Sequence, residues 1–450
     1  MSASIRNSPT GSGESTIAAA SVHDVLRASM LVDGFDLVLD LERSSGTRLI
    51  DQRDGTAYLD MFGFFASSAL GMNHPALADD GAFRRELTTA AVNKPSNSDI
   101  YSVPMARFVD TFVRVLGDPR LPHLFFVDGG GLAVENALKV AFDWKSRFNE
   151  SRGVDSALGS KVMHLTGAFH GRTGYTMSLT NTEPGKVARY PKFDWPRIDA
   201  PYVLDSRDMD EAESSALEQA RTAFEENPHD IACFIAEPIQ GEGGDNHFRP
   251  EFFVKMQALC HEYDALLIFD EVQTGCGLTG TAWAYQQFGV EPDVVAFGKK
   301  VQVCGIMAGG RVDEVADNVF EVPSRINSTW GGNLADMVRA RRILEVIEGD
   351  RLVDRARMTG AHLLGRLVQL AAGTGGLARP RGRGLMCAVD FESREIRDRV
   401  VAELRDTEHV LVLPGGDRGI RFRPPLNVTT TELDAAVDAM GRVVRGIVAA

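Results

Sequence analysis

Cysteine is scarce in this 450-residue chain: Cys233, Cys260, Cys276, Cys304 and Cys387 are the only five, and none shows CxxC spacing. That suits buried thiols in a reducing compartment better than a disulfide framework or a zinc site. No metal site is expected. Long apolar runs are also lacking. The longest charge-free stretch, from Met61 to Met72, is broken by glycine and serine and falls short of the ~20 residues that span a bilayer. Positive charge is in deficit, with 48 Lys and Arg against 62 Asp and Glu and a formal charge of −14. Such a balance opposes binding to nucleic acid or to anionic membranes. No GxGxxG follows the first apolar strand, which argues against hydride chemistry on a dinucleotide. There are no internal repeats. Residues 1–20, rich in Ser, Ala, Gly and Thr, have no basic start before an apolar block. They read as a disordered leader without an export signal, so a cytoplasmic location is expected.

What is present is an ordinary globular composition, 44% hydrophobic and 24% charged, in a chain long enough for one main domain and a smaller one. Apolar runs of strand length occur at His123–Val127, Lys161–Leu165, Ile231–Ile239, Ala265–Phe269 and Asp293–Phe297. Helical patterns occur at Phe83–Val92, Val103–Leu116, Leu132–Phe148, Glu211–Glu226, Pro250–Tyr263 and, briefly, Thr281–Phe288. Strands alternating with helices predict a parallel sheet whose strand ends share one edge. Tyr190–Pro201 reads as an irregular loop. Beyond Asn333 the pattern shifts to helices at Leu334–Ile347 and Leu352–Leu370, strands at Leu385–Phe391 and His409–Pro414, and a closing helix from Thr431 to Val448, capped by Thr430 or Thr431.

The most informative stretch is Ala265-Leu-Leu-Ile-Phe-Asp270-Glu-Val-Gln273-Thr-Gly275, a buried strand that delivers a carboxylate at its end. An ionised Asp270 in that position requires a cation or hydrogen-bond donors. The next strand ends at Gly298-Lys299-Lys300, which places a lysine at the same crevice. Upstream, Asp128-Gly129-Gly130-Gly131 lies between a strand and a helix, a geometry that receives phosphate on backbone amides. Phe169 follows another strand. A lysine able to form a Schiff base, a carboxylate that keeps a pyridine nitrogen protonated, an aromatic to stack on the ring and amides for a phosphate are together the requirements of pyridoxal 5′-phosphate.

With these motifs, Asp270-Glu-Val-Gln-Thr-Gly275 followed by Pro292-Asp293 and Gly298-Lys299, the chain resembles the class III aminotransferases from about residue 25 onward. The resemblance implies an α/β fold of PLP-dependent transferase fold type I, with a large domain built on a mostly parallel sheet flanked by helices and a smaller α+β domain. The expected divisions are a segment 21–70 packing with the small domain, a cofactor-binding domain 71–333 and a small domain 334–450. It also implies that Lys299, not Lys300, anchors the cofactor and shuttles a proton. Asp270 is expected at the pyridine nitrogen, Gln273 at the ring hydroxyl and Phe169 on the ring face. Gly130 and Gly131 are expected at the phosphate, with Ser328 and Thr329 reaching the phosphate of the second subunit of a homodimer. Many relatives carry Ser or Thr where this chain has Gly129, so one hydroxyl contact, worth ~1 kcal/mol, is missing.

Asn93-Lys-Pro-Ser-Asn-Ser-Asp99 and Lys192-Phe-Asp-Trp-Pro-Arg197 look like the lysine-directed actinobacterial branch of the family. That likeness implies transfer of the ε-amino group of L-lysine to 2-oxoglutarate. Ornithine, 4-aminobutyrate and 2,4-diaminobutyrate stay open as donors, because one methylene changes binding by only ~1 kcal/mol. Arg172 and Asn327 are expected at the substrate, and Arg421 at the α-carboxylate of oxoglutarate or glutamate. Glu242 is expected to neutralise Arg421 while lysine reacts and to swing aside for the dicarboxylate.

Overall fold

Why the site sits where it does follows from seven strands: β1 (His123–Val127), β2 (Lys161–Leu165), β3 (Arg197–Ile198), β4 (Ile231–Ala236), β5 (Leu266–Asp270), β6 (Val294–Phe297) and β7 (Cys304–Ala308). They form one sheet in the order β1-β7-β6-β5-β4-β2-β3. The computed structural model describes residues 17–203 and 208–448; the expected leader lies for the most part outside them. Every residue of β4, β5 and β6 is buried. A strand that is apolar on both faces must be covered on both, which is the condition of a central parallel strand. One cover is helix α1 (Gly130–Ser151), which buries Val134, Leu138, Ala141 and Trp144. Opposite it, helix α2 (Pro250–Glu262) supplies Phe252, Phe253 and Met256, with Phe253 edge-on to Phe269 of β5 at 5.0 Å between ring centroids. Burying each such side chain contributes about 1.5–3 kcal/mol.

Pairing is parallel from β3 through β2, β4, β5 and β6. The register of β5 and β6 sets Asp270 against Ala296, and Asp293 fixes it by accepting the Leu267 amide on its carboxylate at 2.8 Å. β7 is the exception, antiparallel to both β6 and β1. The sequence pattern ends its strand at Phe297 and misses β7, whose Cys-Gly start is a weak strand signal. The predicted loop at Tyr190–Pro201 likewise contains the two-residue edge strand β3.

Elsewhere the pattern and the fold agree in kind and differ at the ends. β1, β2 and the helix Val103–Leu116 coincide with the sequence reading. α1 begins two residues earlier than the pattern, inside the glycines. Thr281–Phe288 is only a 3-10 turn over Ala284–Gln287. The closing helix is capped one residue earlier than expected. Thr429 accepts the Glu432 amide on its hydroxyl, and the Glu432 carboxylate accepts the Thr429 amide at 2.8 Å, a reciprocal cap.

After helices α3 (Leu334–Gly349) and α4 (Leu352–Gly373), a second sheet is built from β8 (Leu377–Arg383), β9 (Met386–Phe391), β10 (Leu413–Gly415) and β11 (Gly419–Phe422), followed by α5 (Thr430–Val448). Its order is β8-β9-β11-β10 and its pairing antiparallel throughout. The sequence pattern does not show β8, because Pro380 and three arginines disguise it. The N-terminal segment is stitched to this region, because Ala57–Asp60 pairs in parallel with Val410–Leu411. Just beyond β11 the Arg423 amide donates to Met61 O at 2.7 Å. Gly63 lies against that turn with φ +54, and a Cβ there would come 2.1 Å from Arg423 O, so glycine is obligatory. Among the described residues no helix is long and apolar enough to cross a membrane.

Candidate active site

The carboxyl ends of β4, β5 and β6 open onto a cavity of about 260 Å³. Asp270 closes β5 and is 5% exposed. Its Oδ1 accepts the Val272 amide at 3.1 Å, and its Oδ2 lies 2.8 Å from Nδ1 of the buried His170. An ionised carboxylate only accepts, so His170 carries its proton on Nδ1. Its Nε2 has no hydrogen-bond partner among the described residues. The strand and glycine patterns do not single out His170, although it stands beside Phe169 in the Phe-His-Gly-Arg motif.

Lys299 leaves β6 through Gly298, where a Cβ would come 2.8 Å from Cys304 Sγ at the start of β7. Its own φ is +49, a left-handed conformation rare outside glycine and common at functional positions. The side chain is half-buried on the cavity wall. Burial, helped by the Arg421 and Arg423 guanidinium groups, lowers its pKa to about 8. Lys300 turns the other way. It is fully buried off the cavity and donates to Ser68 O at 2.9 Å, with its pKa pushed by burial down to about 7.

At the opposite end of the cavity α1 begins with Gly130 and Gly131, whose amides have no partner within the helix. A Cβ on Gly130 would come 2.9 Å from Val272 Cγ1, and one on Gly131 would come 3.1 Å from Thr173 Cγ2. Side chains there would close the space. Gly129 has φ +108, so a residue with a side chain would be strained on this backbone.

Phe169 forms one wall and is held by its amide, which donates to Glu237 Oε2 at 3.0 Å. Glu237 ends its strand segment as Asp270 ends β5. Its other oxygen accepts the Gly241 amide at 3.1 Å, and burial raises its pKa to about 7. The strand-end reasoning applied to Asp270 would have found it. Gln273 also lines the cavity, and its Oε1 accepts from Arg423 Nε at 3.0 Å. Arg423 and Asp245 form a two-pronged ion pair in which neither side chain is exposed.

The remaining expected residues stand outside the cavity lining. Arg421, on β11, is buried and donates from Nε to Pro414 O at 3.0 Å. Its charge is felt at Lys299. Glu242 is ion-paired with Lys186. Arg172 is exposed and has no ion pair among the described residues. Asn327, Ser328 and Thr329 lie on a turn tied to Ser98, whose hydroxyl donates to Ser328 O. This arrangement does not bring them to the chain's own cavity.

A larger surface cleft, about 910 Å³ between Lys161 and Asn227, gathers no comparable set, so chemistry and not volume marks the site. Amides free of partners within their helix, a carboxylate locked by an imidazole and a lysine of lowered pKa lining one small cavity match a phosphorylated pyridine aldehyde. This donor set and fold define a pyridoxal-phosphate-dependent transferase. The sequence model of the family Aminotransferase class-III matches residues 32–444, and the chain belongs to that family. It is 67% identical over 423 residues to the L-lysine-epsilon aminotransferase of Mycobacterium tuberculosis, covering 93% of this chain and 94% of that one. To the enzyme of the same name from Amycolatopsis lactamdurans it is 59% identical, covering 94% and 95%. The solved structure of lysine aminotransferase from M. tuberculosis superposes with a TM-score of 0.95 at 66% identity, covering 96% of this chain and all of that one.

Proposed function

We propose that this enzyme transfers the ε-amino group of L-lysine to 2-oxoglutarate, giving L-glutamate and 2-aminoadipate 6-semialdehyde, which cyclises. The observation that carries the reading is the meeting of Lys299 and Asp270 in one cavity within the field of a buried arginine. Relatives named for lysine, similar over nearly the whole chain, support the donor. When bound, pyridoxal phosphate supplies an aldehyde for amine exchange and a ring that withdraws electrons from the reacting carbon. Lys299 holds the cofactor, and its amine, neutral at lower pH than an ordinary lysine, takes and returns the proton at the reacting carbon. Asp270, oriented by His170, keeps the proton on the ring nitrogen. Phe169 and Gln273 fix the ring, and the amides of Gly130 and Gly131 hold the phosphate. Arg421 takes the α-carboxylate of the dicarboxylate through paired hydrogen bonds, and Arg172 and Asn327 bind the far end of the substrate.

The test is a single-turnover reaction with each diamine. L-lysine is expected to convert the cofactor to its aminated form at least tenfold faster than ornithine or 4-aminobutyrate; equal rates would remove the assignment of lysine.

The same reading makes the enzyme a homodimer in which Ser328 and Thr329 complete the partner's phosphate site. Beside that turn the surface is apolar, with Tyr101 77% and Trp330 44% exposed and Lys94 capping the indole at 3.5 Å. Sedimentation should give twice the 49.0 kDa of one chain; a monomer that is still active would rule out the shared site. Free cysteines throughout fit a cytoplasmic enzyme.

A further inference from the structure

Glu242 lies between two cations. Its backbone is fixed, since Gly416 donates its amide to Glu242 O at 2.9 Å, and the adjacent Gly415 packs on Arg421, where a Cβ would come 3.1 Å from Cδ. The Glu242 backbone is therefore held near Arg421, and its charge acts on that guanidinium. Yet its carboxylate is taken by Lys186, from the single helical turn Pro184–Val187. Lys186 lies also 3.5 Å from Glu183. Arg421 in turn has no carboxylate within ion-pairing distance among the described residues, and its side chain makes one hydrogen bond, to Pro414 O. A buried guanidinium left this way is poised for an incoming carboxylate.

We propose that Lys186 is a positioning residue for substrate selection: by holding the Glu242 carboxylate it leaves Arg421 open to the carboxylate of a dicarboxylate substrate. This rests on the assignment of Arg421 to carboxylate binding above. Two cations compete for one carboxylate. With Lys186 present, the dicarboxylate finds Arg421 unoccupied. Without it, Glu242 turns to Arg421, and 2-oxoglutarate must displace it. Lysine, which brings its ε-amino end and no carboxylate to the reacting carbon, has nothing to displace. Lys186 is 28% and Glu242 22% exposed, so the pair can be altered without emptying the core.

The test compares Lys186→Met, Lys186→Arg and the double variant Lys186→Met/Glu242→Gln as holoenzymes. Lys186→Met should raise the KM for 2-oxoglutarate and the dissociation constant of glutarate, a non-reacting dicarboxylate, each about tenfold, the size of one charge-assisted hydrogen bond. The KM for lysine should not rise with them. Lys186→Arg should keep near-normal values, and the double variant should recover most of the loss, because no carboxylate is left to compete for Arg421. A rise of equal size for lysine, no rise at all, or a loss that Glu242→Gln does not relieve would overturn the proposal. Glutarate binding is read by titration calorimetry without turnover. Wild-type enzyme that fails to bind glutarate would instead count against Arg421 as the carboxylate site.

Discussion

Replacing Lys299 by alanine should lower kcat in both half-reactions by about 10³-fold or more, because covalent anchoring and proton transfer are lost together. Single-turnover absorbance of the cofactor measures it. The same residue gives a pH signature that needs no turnover. In cofactor-free protein, acylation by a neutral amine-reactive reagent should rise with a midpoint near the lowered pKa of about 8, and peptide mapping should place the label on Lys299. The alanine variant should lose it. Label on Lys300 would reverse the assignment, but that amine is buried against Ser68 O and lies off this cavity. Stability depends on the same titration. Unfolded, Lys299 keeps its proton up to about 10.5, the ordinary value, and folded only to about 8. Between those values the unfolded chain binds more protons, so this lysine's contribution to stability rises with pH across that window.

Arg423→Met should destabilise the protein by about 3–5 kcal/mol, since it strands the Asp245 carboxylate in a fully buried position. The fall in thermal midpoint is the measure. Adding Asp245→Asn should return much of the loss, because the cost comes from the unpaired charge and not from the pair's own attraction. Both variants also release Gln273, which Arg423 holds by its Nε, so cofactor affinity should stay weakened even where stability recovers. Recovery of both together would mean that Gln273 needs no such support.

How much of the fold and site is legible in the sequence depends on what kind of signal each part carries. β5 announces itself, because an apolar run that ends in Asp270 fits few places besides a ligand-facing sheet edge, and the register with β6 puts Lys299 beside it. β7 does not, because a five-residue strand that begins Cys-Gly has little pattern of its own and gains its stability from two antiparallel neighbours. His170, Asp245 and Lys186 stay hidden on different grounds. Each acts through a partner distant in sequence, and no periodicity records that Glu242 meets a lysine 56 residues away. Glu242 is expected beside Arg421, and in this structure its carboxylate is paired with Lys186. A charge balance among three groups is decided by side-chain reach, which spacing does not encode.

β7 has a consequence for how the site is assembled in time. Because the chain reverses just after Lys299 and returns beside its own strand, the lysine is set by local contacts. Asp293 ties β5 to β6 across only 26 residues. Gln273 meets Arg423 across 150. Closing a loop costs more as it lengthens, by about 0.6 kcal/mol for each doubling, and contacts near in sequence tend to form first. A nascent chain can therefore complete the Lys299 and Asp270 end of the cavity before the C-terminal strands arrive, so the means of holding a cofactor precede the means of choosing a substrate.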